Sequence, residues 1–202
     1  MKYFFVIILF IIAEPLHSYS QQYDTIPDTR KLEIALDYFT GGKYHEALMM
    51  FLKLDKRYNL NPRFKAYIGL CYYHEWEYPQ ACKFLDEALP SLAIYSPAER
   101  SLYYNAAAES HFALKEYIKA IPAYEMCLLT CRQNEKADAL YRIGFCYMFT
   151  RQWVNAADYF KSALAYYEAY PNSNSATRIA QLKNMIKGCE NMTAGHNQAA
   201  HD

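Results

Sequence analysis

Ala47, Ala81, Ala120 and Ala156 each stand at the twentieth place of a 34-residue segment, and this recurrence constrains the fold more than any other feature of the chain. The segments are 28–61, 62–95, 101–134 and 137–170; five residues precede the third and two precede the fourth. Other places recur with them. Place eight is always small: Ala35, Gly69, Ala108 and Gly144. Place eleven holds Tyr38, Tyr72, His111 and Tyr147, and place seventeen the rings of Tyr44, Tyr78, Tyr117 and Trp153. Place twenty-four holds Phe51, Leu85, Tyr124 and Phe160, and place twenty-seven Leu54, Ala88, Cys127 and Ala163. Beyond residue 28 the apolar residues recur at helical spacing, with no regular alternation and no Asn-Gly turn. The pattern predicts two helices per segment, joined by turns near Gly41-Gly42 and at 75–77, 114–116 and 150–152. Small residues let the two backbones approach, and the rings fill the space above and below the crossing. A single hairpin cannot bury its own apolar face, so such units must stack.

The 34-residue unit, with small residues at places eight, twenty and twenty-seven and rings at eleven, seventeen and twenty-four, resembles the tetratricopeptide repeat (TPR) family. The fragments Gly69-Leu-Cys-Tyr72, Tyr44-His-Glu-Ala47 and Tyr78-Pro-Gln-Ala81 are close matches, and the resemblance covers residues 28–170. It implies an all-α fold, an α-solenoid of four helix-turn-helix repeats. There are departures. The Pro that often closes a unit at place thirty-two is replaced by Asn59, Ala93, Arg132 and Glu168, with Pro62 and Pro171 three residues later. Pro122 stands one turn into a second helix, where it removes a backbone hydrogen bond and threatens a kink. Ser96-Pro97-Ala98-Glu99 reads as a capping box, which lengthens the first helix of the third unit. A last helix at 174–190, with the stripe Ile179, Leu182, Met185 and Ile186, is expected to cap the stack, leaving 191–202 as a polar, disordered tail.

The N-terminus reads as an export signal. Lys2 precedes an uncharged apolar run of eleven residues, Tyr3 to Ala13, closed by Glu14 and Pro15. A bilayer span needs about 20, so a secretory h-region is expected, with cleavage after Ser20; an uncleaved anchor is the alternative. Export leads to the periplasm or the cell exterior, where disulfides persist. Six cysteines are present, without a C-x-x-C pair. Most read as small buried apolar residues, with Cys71–Cys82 the most plausible bridge; Cys127 and Cys131, four apart on one helix, are poorly placed for one.

With 21 basic and 21 acidic residues the formal net charge is +0, which disfavours nucleic-acid binding. No phosphate loop, nucleophile elbow or H-E-x-x-H motif occurs; His45-Glu46 and His74-Glu75 lack the second His. Asn191-Met192-Thr193 is a glycosylation sequon, relevant only in a eukaryotic secretory route. No catalysis, metal or cofactor is expected. The chain has 21 Tyr and 11 Phe, and rings with Arg are the side chains that most often carry binding energy at interfaces. The TPR resemblance assigns the concave groove to places 2, 5, 6, 9, 12 and 13 of each first helix. These include Arg63, Tyr67, Tyr73 and His74, then Asn105, Glu109 and Phe112, then Tyr141, Arg142, Phe145 and Phe149. The first unit would add Thr29, Leu32, Glu33, Leu36, Phe39 and Thr40. The Lys and Asn set with which some members clamp a peptide's terminal carboxylate is not present. The expectation is therefore an exported scaffold that holds a protein or peptide partner in an aromatic groove, with Arg63 or Arg142 on a carboxylate. A self-associating subunit, or a non-catalytic accessory subunit of an envelope enzyme or transport machine, is the alternative.

Overall fold

The computed structural model describes residues 26–171 and 175–199. The expected export signal, its cleavage point and residues 200–202 lie outside the described residues. Among the described residues there are nine α-helices and no strand: α1 (Asp28–Thr40), α2 (Tyr44–Tyr58), α3 (Pro62–His74), α4 (Tyr78–Ala88), α5 (Pro97–Ala113), α6 (Tyr117–Thr130), α7 (Lys136–Phe149), α8 (Trp153–Ala169) and α9 (Ser175–Ala199). Single 3-10 turns, Leu89–Ser91 and Gln133–Glu135, precede α5 and α7. The fold is all-α and TPR-like. The chain divides after Asn59 into two compact units. The first contains the α1–α2 hairpin, whose ends are tied by Asp28, which accepts from Lys31 at 3.0 Å, from Arg57 at 2.6 Å and from the Tyr58 hydroxyl. In the second, each of α3 to α9 packs on the next, and α3 also touches α5.

The four turns between first and second helices share one geometry. Place fifteen is left-handed in each: Gly42 at φ 73°, Trp76 at 61°, Lys115 at 61° and Arg151 at 59°. The next N–H reaches back to the carbonyl of place eleven: Lys43 to Tyr38 at 2.8 Å, Glu77 to Tyr72 at 2.9 Å, Glu116 to His111 at 2.9 Å and Gln152 to Tyr147 at 2.8 Å. This is the Schellman closure, for which glycine is the usual residue. Here only Gly42 is glycine; a left-handed side chain costs roughly 1–2 kcal/mol, so packing imposes the other three corners. The carbonyls of Lys43, Glu77, Glu116 and Gln152 then accept the N–H of Ala47, Ala81, Ala120 and Ala156, starting the second helix.

Those four alanines are 0% exposed, as are Phe51, Leu85, Tyr124 and Phe160 at place twenty-four. Place eight must be small because place twenty-four faces it. A Cβ on Gly69 would lie 2.6 Å from Leu85 Cγ, and one on Gly144 would lie 2.5 Å from two ring carbons of Phe160. His111, where the other repeats have Tyr, is buried with Nδ1 2.7 Å from Glu116 and Nε2 3.1 Å from Asp86. The Asp86 carboxylate first, then Cys82 and Glu116, push its pKa up to about 10.

Several local expectations can be set against the helices. Ser96 accepts the Glu99 N–H at 3.2 Å and α5 runs for 17 residues against 13 in α3. Helix α6 continues through Pro122 to Thr130. All six cysteines are free, and all but half-buried Cys131 are buried, as read from the sequence; the one bridge thought plausible, Cys71–Cys82, is not formed. The last helix extends to Ala199, nine residues past the end the sequence suggested, so 191–199 is helical where a disordered tail was expected. Its Leu182 and Cys189 join the core of α7 and α8, with Ile179, Met185 and Ile186 packed against them.

Candidate functional site

The second unit carries a cleft of about 840 Å³ walled by first helices. Helix α5 contributes Glu99, Leu102, Asn105 and Glu109; α7 contributes Asp138, Tyr141, Arg142 and Phe145; Tyr73 comes from the end of α3. Cys127, Cys131, Arg132 and Glu135 close one side, and Arg178 reaches in from α9. Of the residues named from the sequence, Tyr73, Asn105, Glu109, Tyr141, Arg142 and Phe145 line this cleft, whereas Arg63, Tyr67, His74, Phe112 and Phe149 do not.

The two expected carboxylate binders are each paired within the chain. Arg63 holds Glu99 through Nε at 2.7 Å and Nη2 at 3.2 Å, and Tyr103 donates to the same carboxylate at 2.8 Å. Its guanidinium lies over the rings of Tyr95 and Tyr67, at 4.9 and 5.7 Å. Arg142 Nε lies 2.8 Å from Glu109, which also accepts from Tyr124 at 2.7 Å. Burial, with the Glu109 charge, raises the Tyr124 hydroxyl far above its ordinary value. The sequence reading missed Glu99 and Glu109 as internal partners because the pairing of Arg63 spans 36 residues.

The rings divide between core and surface. Tyr141 is only 6% exposed, whereas Leu102 is 61% and Phe149 48% exposed. Phe149 stacks on Tyr117 at 4.8 Å and on Phe145 at 5.7 Å, and Phe112 lies edge-on to Tyr117 at 5.4 Å. Tyr67 sits 6.3 Å from Tyr103, and exposed His74 lies edge-on to Tyr73 at 5.2 Å.

Arg178 was not foreseen. Its guanidinium stacks 4.2 Å above the Tyr141 ring and touches Gln181 at 3.3 Å. Among the described residues neither Arg178 nor Arg132 forms an ion pair, so the cleft holds two guanidiniums without a carboxylate partner. The Asp138 carboxylate nearby accepts from the Tyr167 hydroxyl. Among the described residues no group of three His, Cys, Asp or Glu is placed to hold a metal ion, and no helix is long and apolar enough to cross a membrane.

Comparison with protein-family models gives no match, and comparison with curated proteins gives none. Solved structures match widely. A MamA protein aligns over 83% of this chain and 88% of its own, at 17% identity and a TM-score of 0.60. A Podosopora anserina putative kinesin light chain with nearly identical TPR-like repeats aligns over 88% and 92%, at 14% identity and 0.57. The apo form of RapI aligns over 87% and 67%, at 14% identity and 0.61. At these identities the likeness is one of fold, and it shows a TPR-like helical architecture.

Proposed function

We propose that this chain is an exported, non-catalytic adaptor that binds a protein or peptide partner in the cleft of its second unit. The observation that carries the reading is Arg178, stacked on Tyr141 inside a cleft that also presents exposed Leu102. A stacked guanidinium is held flat and keeps its outward N–H groups for a carboxylate, which limits the entropy lost on binding. Asn105 can pair with a backbone amide, and Leu102 and Phe145 supply apolar surface. These features suit an extended segment bearing an acidic side chain. The likeness to TPR-like structures, one of them the APC/C hetero-tetramer Cut9-Hcn1, supports an interaction role. Export rests on the apolar run at the N-terminus.

Crosslinking in native cell envelopes, followed by mass spectrometry, identifies the partner. Capture by the purified chain should then fall with Arg178→Ala and with Leu102→Asp while the melting temperature holds. Capture unchanged in both variants rejects the cleft. Self-association is a second reading, favoured by Ile118 and Val154, which are 62% and 57% exposed at the same place of α6 and α8. It requires a mass that rises with concentration in light scattering and falls in Ile118→Glu.

A further inference from the structure

Just outside the cleft three rings gather at the surface. Phe149, the last residue of α7, is 48% exposed although it lies 4.8 Å from Tyr117 and 6.1 Å from Phe112. Phe112 and Tyr117 stand edge-on at 5.4 Å. The core does not need the outer face of Phe149, which leaves a rigid apolar corner open to water.

Helix α7 joins this corner to the cleft. Tyr141, Phe145 and Phe149 are four residues apart, so each lies about one turn beyond the last on one side of the helix. Their rings touch in sequence, at 4.7 Å and then 5.7 Å. Arg178, 4.2 Å above Tyr141, heads the column, and the three-ring corner ends it. Charge gives the column a direction. Arg178 has no carboxylate partner, whereas Arg142, nearer the corner and 4.8 Å over Phe112, is held by Glu109 at 2.8 Å. A ligand acid therefore belongs at the Tyr141 end and apolar groups at the Phe149 end.

The column also sets a spacing. Four residues of helix rise about 6 Å. Two residues of extended chain advance about 6.5 Å, and alternate side chains point the same way. A strand laid along α7 thus brings every second side chain to the next ring, with an error of about 1 Å over two steps. We propose that the partner segment is read by this register. Its acidic side chain pairs with Arg178, an apolar one two residues away rests on half-buried Phe145, and an aromatic one four residues away seats on the Phe112–Tyr117–Phe149 corner, counted in either chain direction. The register rests on the cleft being the binding site and adds to it a sequence requirement on the partner.

The test pans the purified full chain against phage-displayed random dodecapeptides and remakes the enriched ones for affinity measurement. They should carry Asp or Glu four residues from an aromatic residue, with an apolar residue midway. Inserting one residue between acid and ring turns the ring to the opposite face and should weaken binding about tenfold. In Phe149→Ser, with folding checked by circular dichroism, the same insertion should change little. Peptides that need Arg178 but tolerate the insertion overturn the register and leave the cleft standing. No enrichment, or binding indifferent to both Arg178→Ala and Leu102→Asp, overturns both. A mass that rises with concentration in the parent but not in Phe149→Ser gives the corner to a second copy of the chain and overturns the register.

Discussion

Replacing Gly144 by Ala tests the close approach of α7 and α8 on which the repeat depends. The added Cβ would lie 2.5 Å from Cδ1 and Cε1 of Phe160, a ring that is 0% exposed. Ordinary carbon contacts lie at about 3.5–4.0 Å, so ring or helix must shift by about 1 Å. Phe160 has little freedom to do so, with Phe145 edge-on at 5.5 Å and Tyr141 at 6.1 Å. Overpacking of this kind costs about 1–3 kcal/mol. Against it stands the helix-propensity gain of Gly to Ala, roughly 1 kcal/mol. Gly188→Ala isolates that gain, because its new Cβ meets nothing within 4 Å. Gly144→Ala should therefore fall about 1–3 kcal/mol below Gly188→Ala, or roughly 2–4 °C in Tm per kcal/mol for a chain of this size. Urea unfolding followed by far-UV circular dichroism measures both, with the slope checked for constancy. If Gly144→Ala stabilises the chain as much as Gly188→Ala, the close-approach account of place eight is wrong.

Lys115→Gly and Arg151→Gly relieve left-handed side chains and should each raise stability by up to about 1 kcal/mol, read by the same urea curves; a loss would show that the side chains support the corner. His111 has a folded pKa raised to about 10 from 6.5, so its contribution is complete below pH 6.5 and fades as pH climbs toward 10. Melting curves across that window should converge for the parent and His111→Gln as pH rises; a constant gap removes the charged His from the account. Tyr141→Ala should cost about 3–5 kcal/mol, as for other buried rings, whereas Arg178→Ala should change stability by less than about 1 kcal/mol. Thermal melts of the two variants, run side by side, separate core from cleft, and equal losses would refute that division.

The repeat was legible because backbone contact is unforgiving: Gly69 and Gly144 leave no room for a Cβ, and Ala108 and Ala120 are fully buried, so the spacing of small residues shows in the sequence. The corners were legible from the helices rather than from their own residues, since Trp76 and Lys115 carry no turn signal. The cleft was half legible. Asn105, Glu109 and Arg142 follow from the phase of the first helices. Tyr141 was read as groove surface, but it is covered by Arg178 from α9, a helix beyond the last repeat. No periodicity within the repeats places that arginine. Likewise Arg63 looked available because its Glu99 sits at the start of the next first helix, close only once α3 and α5 touch.

The corner between paired helices has a consequence for how freely its sequence can vary. Its hydrogen bonds recur whether the left-handed residue is glycine, tryptophan, lysine or arginine. The bend is stored in the two helices that meet there, so the letter at the bend can drift with little penalty beyond local strain. A fold built this way can exchange most of its residues and keep its contour. Shape then depends little on spelling: this chain shares 17% or less of its residues with MamA, RapI and the kinesin-type repeats and has the same fold.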